Sequence, residues 1–156
     1  MEKLDFIEAE AKANVAFHLA CAEALAKESN ILLTVLLTGA GASLGYVINL
    51  VEKDAPQWLL YGLGAVSVYL FAIAALTTWK CLWARLIYPP ANEPKNLCQD
   101  DLDADTIRRG ELKNRQTCID MNKDRNEGVG SWLNWCRLLA AATPIVFAAA
   151  ALAAFL

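Results

Sequence analysis

The stretch ILLTVLLTGAGASLGYVINLV, residues 31–51, holds 21 residues and no charge. As an α-helix it rises about 32 Å, enough to cross a hydrocarbon core of about 30 Å. Two further blocks repeat the pattern. WLLYGLGAVSVYLFAIAALTTW covers residues 58–79 and LLAAATPIVFAAAALAAFL covers residues 138–156, again without a charge. The chain is 56% hydrophobic, and its apolar residues are gathered in blocks instead of being spread at the periods of a soluble core. Backbone polar groups in lipid need partners inside their own segment, so helix is the form expected of each block. The expected class is all-α, a membrane protein with three transmembrane helices. A long N-terminal cytoplasmic helix and a cytoplasmic helix between spans two and three complete it.

Basic residues near the span ends set the orientation. The connection from Glu52 to Gln57 carries one, Lys53. The segment from Lys80 to Arg137 carries Lys80, Arg85, Lys95, Arg108, Arg109, Lys113, Arg115, Lys123, Arg125 and Arg137. This places the N-terminus and the long segment in the cytoplasm, and the C-terminus outside. Trp79, Trp83, Tyr88, Trp132 and Trp135 mark the inner interface, and Trp58 and Tyr61 the outer one. The first thirty residues mix Glu2, Asp5, Glu8 and Glu10 with Lys3 and Lys12, without the basic start and apolar run of a signal peptide. All five cysteines fall on the proposed cytoplasmic side or at its interface, so they are expected as thiols.

Outward from the spans, residues 1–30 read as one alanine-rich helix, with Leu4, Ile7, Ala11, His18, Cys21 and Leu25 on one stripe. It runs into the first span or is capped anew at Ser29-Asn30. Residues 31–87 form a transmembrane hairpin, with spans at 31–51 and 58–83. Gly41-x-x-x-Gly45 removes side chains from one face, against span two or against another subunit. Pro89, Pro90 and Pro94 end the second helix. Residues 88–130 are a cytoplasmic linker and helix. Asp100, Asp101, Asp103 and Asp105 do not make a calcium loop, because Thr106 and Leu112 stand where Gly and a bidentate Glu are needed. They read as capping for the helix that follows.

That helix carries a thin heptad seam of Leu112, Ile119, Asn126 and Leu133. Arg115, Asn122, Val129 and Cys136 lie three further on. Asn122 and Asn126 become inward layers if the helix associates, setting register. Gly128 and Gly130 are expected to interrupt the helix and act as a hinge. Residues 131–156 form the third span, which Pro144 should kink.

Catalytic chemistry is scarce. His18 is the single histidine, no nucleophile has a base near it, and no phosphate loop is evident. No enzyme activity, cofactor or metal is expected. Arg108, Arg109, Lys113 and Arg115 are candidates for binding an anionic ligand such as a nucleotide or a phospholipid. Asp105, Glu111, Asp120 and Asp124 nearly cancel them, which favours a solvated, ion-paired helix.

This layout is similar to that of small bacterial membrane effectors of antiphage systems, which join a few spans to a small cytoplasmic sensing part. The similarity is architectural and is densest over Asn114–Pro144, where a polar helix enters a Trp-flanked span. It implies a non-enzymatic, homo-oligomeric effector in the bacterial inner membrane that forms a pore or disrupts the bilayer. A cytoplasmic nucleotide-type ligand or protein partner would control it, and no duplex DNA contact is expected. The alternative is a membrane anchor or adaptor that assembles another protein at the cytoplasmic face.

Overall fold

Each apolar block forms helix. In the computed structural model, which describes residues 2–53, 55–83, 87–88, 92 and 102–155, the elements are α1 (Glu2–Val51), α2 (Gln57–Thr77), a π-helical turn (Thr78–Leu82), α3 (Ala104–Ala141) and α4 (Thr143–Phe155). No strand occurs among the described residues. The chain divides into two compact units. Met1–Leu25 with Ala84–Gly128 forms a polar unit, and Ala26–Trp83 with Val129–Leu156 forms an apolar one. Of the two starts the sequence allowed for the first span, the uninterrupted one is found, since α1 is helical from Glu2 through Val51. α1, and α2 with its π turn, are long and apolar enough to cross a membrane. α3 and α4 pass the same test only as a pair bent by 42°.

In the apolar unit the three chain passes alternate in direction. Ser67 on α2 donates to the carbonyl of Ala40 on α1 at 2.9 Å, and Leu70 lies against Gly39. Tyr69 meets Leu139 and Gly62 meets Phe147, so α2 also runs antiparallel to α3 and α4. Leu36, Ile73, Ala74 and Cys136 form the buried centre. Pro56 sets the turn into α2, standing just before its first residue. At the other end of α2, Thr77 and Thr78 donate their hydroxyls to the carbonyls of Ile73 and Ala74. Such back-bonding bends helices, and here the chain widens into the π turn. Cys81 within that turn lies with its sulfur 3.9 Å from the Val129 carbonyl.

The kink expected from Pro144 is present, and its chemistry is visible. The break falls at Ala142, so Pro144 occupies the first turn of α4, where a missing N–H is tolerated. Pro144 cannot donate to the Ala140 carbonyl four residues back. The Thr143 hydroxyl donates to it instead, at 2.6 Å. The neighbouring Leu139 carbonyl accepts from the Tyr69 hydroxyl at 2.9 Å.

Glycine behaves differently from expectation at two places. Gly128 and Gly130 do not interrupt the helix, because α3 continues through both. A glycine costs a helix about 1 kcal/mol. Val129 and Leu133 are buried on that segment, and their packing holds the helix through the pair. The division between the two units nonetheless falls between Gly128 and Val129. Close helix approach within the chain occurs at Gly39 and Gly62, not at Gly41 or Gly45, where an added Cβ would meet nothing within 4 Å. On the expected stripe of α1, Leu4, Ala11, His18, Cys21 and Leu25 are half-buried, beside Val15 and Ala22. Val15 and Ala22 are the fully buried residues of that face, and Ile7 is the one expected member that is exposed.

A Cβ at Gly62 would sit 2.7 Å from the Phe147 ring. Gly62→Val is therefore expected to destabilise the apolar unit by about 1–3 kcal/mol, the usual cost of overpacking. Unfolding titrations in mixed micelles would measure this. The loss should shrink in a Phe147→Ala background, and equal losses in both backgrounds would show that the ring is not the obstacle.

Candidate functional site

The polar unit carries most of the side-chain chemistry of the described residues. It is built on the first part of α1 and the first part of α3. Asp103 precedes α3 and caps it, its Oδ1 accepting the Thr106 N–H at 2.6 Å. That is the capping role expected of the aspartates; Asp100 and Asp101 lie outside the described residues. The bond to Thr106 holds the Asp103 carboxyl below its ordinary value of 3.8. No group of potential metal ligands occurs among the described residues.

The heptad seam on α3 is the buried face of that helix. In the polar unit Ile119, Asn122 and Asn126 are buried, with Leu112 and Arg115 half-buried. In the apolar unit Val129, Leu133 and Cys136 are buried. The partners of both Asn residues lie in the chain itself. Asn122 clamps the backbone of one residue, with its Oδ1 accepting from the Tyr88 N–H and its Nδ2 donating to the Tyr88 carbonyl, both at 3.3 Å. Asn126 donates to the His18 carbonyl at 2.8 Å and accepts from Arg125 at 3.2 Å. His18 packs edge-on against Phe17, with ring centres 5.5 Å apart.

The four basic candidates do not converge. Arg109 and Lys113 lie on the exposed side of α3. Arg108 and Arg115, seven residues apart, share the inward side. Arg108 donates through Nε to Glu8 at 2.8 Å and through Nη2 to Asp5. The Arg108 hydrogen bond is the main reason the Glu8 carboxyl sits below its ordinary value of 4.5, and the charge of Arg115 contributes less. The paired carboxylates raise Arg108 in turn. Among the described residues no carboxylate forms an ion pair with Arg115. Its Nε and Nη1 are shut off from solvent and make no hydrogen bond among the described residues, and the same holds for Nε of Arg125. Composition and spacing do not separate these cations, because the orphaned N–H groups follow from which side of α3 meets α1.

Two features of the apolar unit also bear on function. Lys80 places its ammonium 3.9 Å from the Trp79 ring centre and 4.8 Å from that of Trp132, joining the π turn to α3 by cation–π contact. Near the opposite end of α2, Gln57, Leu60, Tyr61, Gly64, Ala150 and Ala153 line an open cleft of about 670 Å³ between α2 and α4. Cys21, Cys81, Cys118 and Cys136 are free thiols. Comparison with protein families, with curated proteins and with solved structures finds no match to this chain.

Asn122→Ala would strip the Tyr88 backbone of both partners, and the expected cost is about 1–3 kcal/mol. Asn126→Ala should cost less, because the His18 carbonyl lies within α1 and keeps its helical donor. Hydrogen exchange at the Tyr88 amide would distinguish the two, rising in the first variant and not in the second.

Both Glu8 and Asp103 have folded-state values below their ordinary ones. The folded chain therefore favours their ionised forms over the unfolded chain. Their contribution is complete at neutral pH and is lost as pH falls through the lowered carboxylate values. The thermal midpoint should drop on acidification below about pH 4.5, the ordinary glutamate value. Glu8→Gln with Asp103→Asn should flatten that drop, and an unchanged slope would remove these two groups as its source.

Proposed function

We propose that this protein is a non-enzymatic, homo-oligomeric effector of the bacterial inner membrane. Its spans associate to form a pore or disrupt the bilayer, under the control of its cytoplasmic helices, in antiphage defence. The observation that carries this reading is the unpartnered side of α1. Thr34, Thr38, Gly41, Gly45, Ile48 and Asn49 fall within one stripe, and all six are exposed. Lipid gains nothing from a glycine, and each weakens the helix by about 1 kcal/mol. A Gly-x-x-x-Gly pair with small polar neighbours is what a second helix backbone needs for close approach. Among the described residues nothing lies within 4 Å of a Cβ added at either glycine.

The alternating direction of the three passes supports an arrangement with the N-terminus inside and the C-terminus outside. Trp79 and Trp132, joined through Lys80, suit the inner interface. Trp58 and Tyr61, near the first turn of α2, suit the outer one. α1 and α3 each contribute residues to both units without a helical break, which supports control of the spans by the polar part.

Gly41→Leu with Gly45→Leu should leave the monomer's helix content and unfolding midpoint unchanged, since added side chains meet nothing there. The same variant should shift the particle in nanodiscs to monomer and abolish dye leakage from cells expressing the protein. If wild-type protein leaves membrane potential and dye exclusion intact, and is a monomer in nanodiscs, the effector reading is sunk.

A further inference from the structure

Among the described residues, the inward side of the polar unit is rich in donors and short of acceptors. Asp5 and Glu8, the carboxylates that face α3, already accept from Arg108. The Tyr88 and His18 carbonyls already accept from Asn122 and Asn126. Arg115 and Arg125 are left with three N–H-bearing atoms sealed from water and unmatched among the described residues. A guanidinium cannot shed its proton to escape this, unlike a lysine or histidine. Native chains seldom leave buried N–H groups unmatched without a use for them. The rest of Arg115 reaches the surface, so a solute can approach it.

We infer that the polar unit binds a phosphate-type anion at Arg115. A phosphate group presents three or more strong acceptor oxygens and no obligatory donor, which matches this deficit better than a carboxylate with two oxygens. Arg108 is excluded from the contact by its own carboxylates, and Arg109 and Lys113 by facing away. The site deepens the effector reading and rests on it for its biological meaning, because it gives the cytoplasmic part something to sense. The phosphate can belong to a free solute or to a lipid headgroup.

The test uses the full chain in maltoside micelles, which carry no phosphate. In one arm inorganic phosphate and pyrophosphate are titrated by calorimetry. In the other, phosphatidylglycerol is added to the same micelles and its binding is followed by native mass spectrometry. Saturable binding is expected in one arm or the other, and the arm that responds identifies the source. Arg115→Gln should weaken it roughly tenfold or more, as loss of a charge-assisted hydrogen bond does, with Arg115→Lys intermediate and Arg109→Gln unchanged. Helix content by circular dichroism checks each variant. If Arg115→Gln does not fold, the Arg115→Lys to wild-type ratio decides, and a ratio of one overturns the inference. Absence of binding in both arms, or equal binding by wild type and Arg115→Gln, also overturns it. Arg115-dependent binding without dye leakage upholds the site while removing the effector reading. Leakage with no Arg115-dependent binding removes the site alone.

Discussion

In a segment that crosses lipid, every backbone carbonyl must find a donor within the protein. Pro144 is where this chain strains that rule most, and the packing of the apolar unit is arranged around it. The proline removes one donor, the helix breaks at Ala142, and the Ala140 carbonyl needs a new partner. Thr143 supplies it locally. Tyr69 adds a donor from α2 to the Leu139 carbonyl, which also accepts from the Ala142 N–H at 3.0 Å, and so pins α2 to the last turn of α3. Ser67 lies two residues before Tyr69 and projects to the other side of α2, where it reaches Ala40 on α1. Two hydroxyls on one turn of α2 thus hold α2 against α3 on one side and α1 on the other. In an apolar medium, where association has no hydrophobic drive between helices, such bonds and close packing must supply the specificity.

The two units solve opposite problems. The apolar unit has few polar groups and matches those it has. The polar unit has many and leaves some unmatched. Arg108 between Asp5 and Glu8 is a surface pair of modest worth, since one of its carboxylates is more than half exposed. The Asn122 clamp on Tyr88 and the Asp103 cap are local devices that define chain path and helix start. None of these supplies acceptors to Arg115. A unit poised in this way gains stability from any anion that binds its folded form alone, and the gain grows with the logarithm of ligand concentration. A modest intrinsic stability in the polar unit is then compatible with a sensing role, because the ligand has free energy left to contribute.

Much of this was readable from residue order. Uncharged runs of about 20 residues announce spans whatever their neighbours are, because length and composition alone decide the matter. The seam on α3 was readable for the same reason: Ile119, Asn122, Asn126 and Val129 recur at a helical period, and all four are buried. What periodicity leaves open is the identity of the partner. Asn122 and Asn126 look like the register-setting layers of an assembly, yet their bonds are to Tyr88 and His18 of the same chain. Arg108 and Arg115 are likewise indistinguishable in sequence. One is paired and the other is not, because Asp5 and Glu8 bond to the first, while Glu8 reaches the second only through its charge.

Glycine illustrates the limit most clearly. Gly62 is tight against Phe147, Gly128 lies in a continuous helix, and Gly41 and Gly45 face nothing. One residue type stands for a close contact, a tolerated weakness and an empty face, and only the neighbours tell them apart. This redistributes the case for self-association. The seam on α3 has its surface used within the chain and has little left to offer a second copy. The stripe on α1 has its whole length free. If copies of this protein meet, the contact belongs in the membrane, along the first span. The polar unit then keeps its inward face intact in every copy, so ligand recognition and assembly need not compete for the same residues.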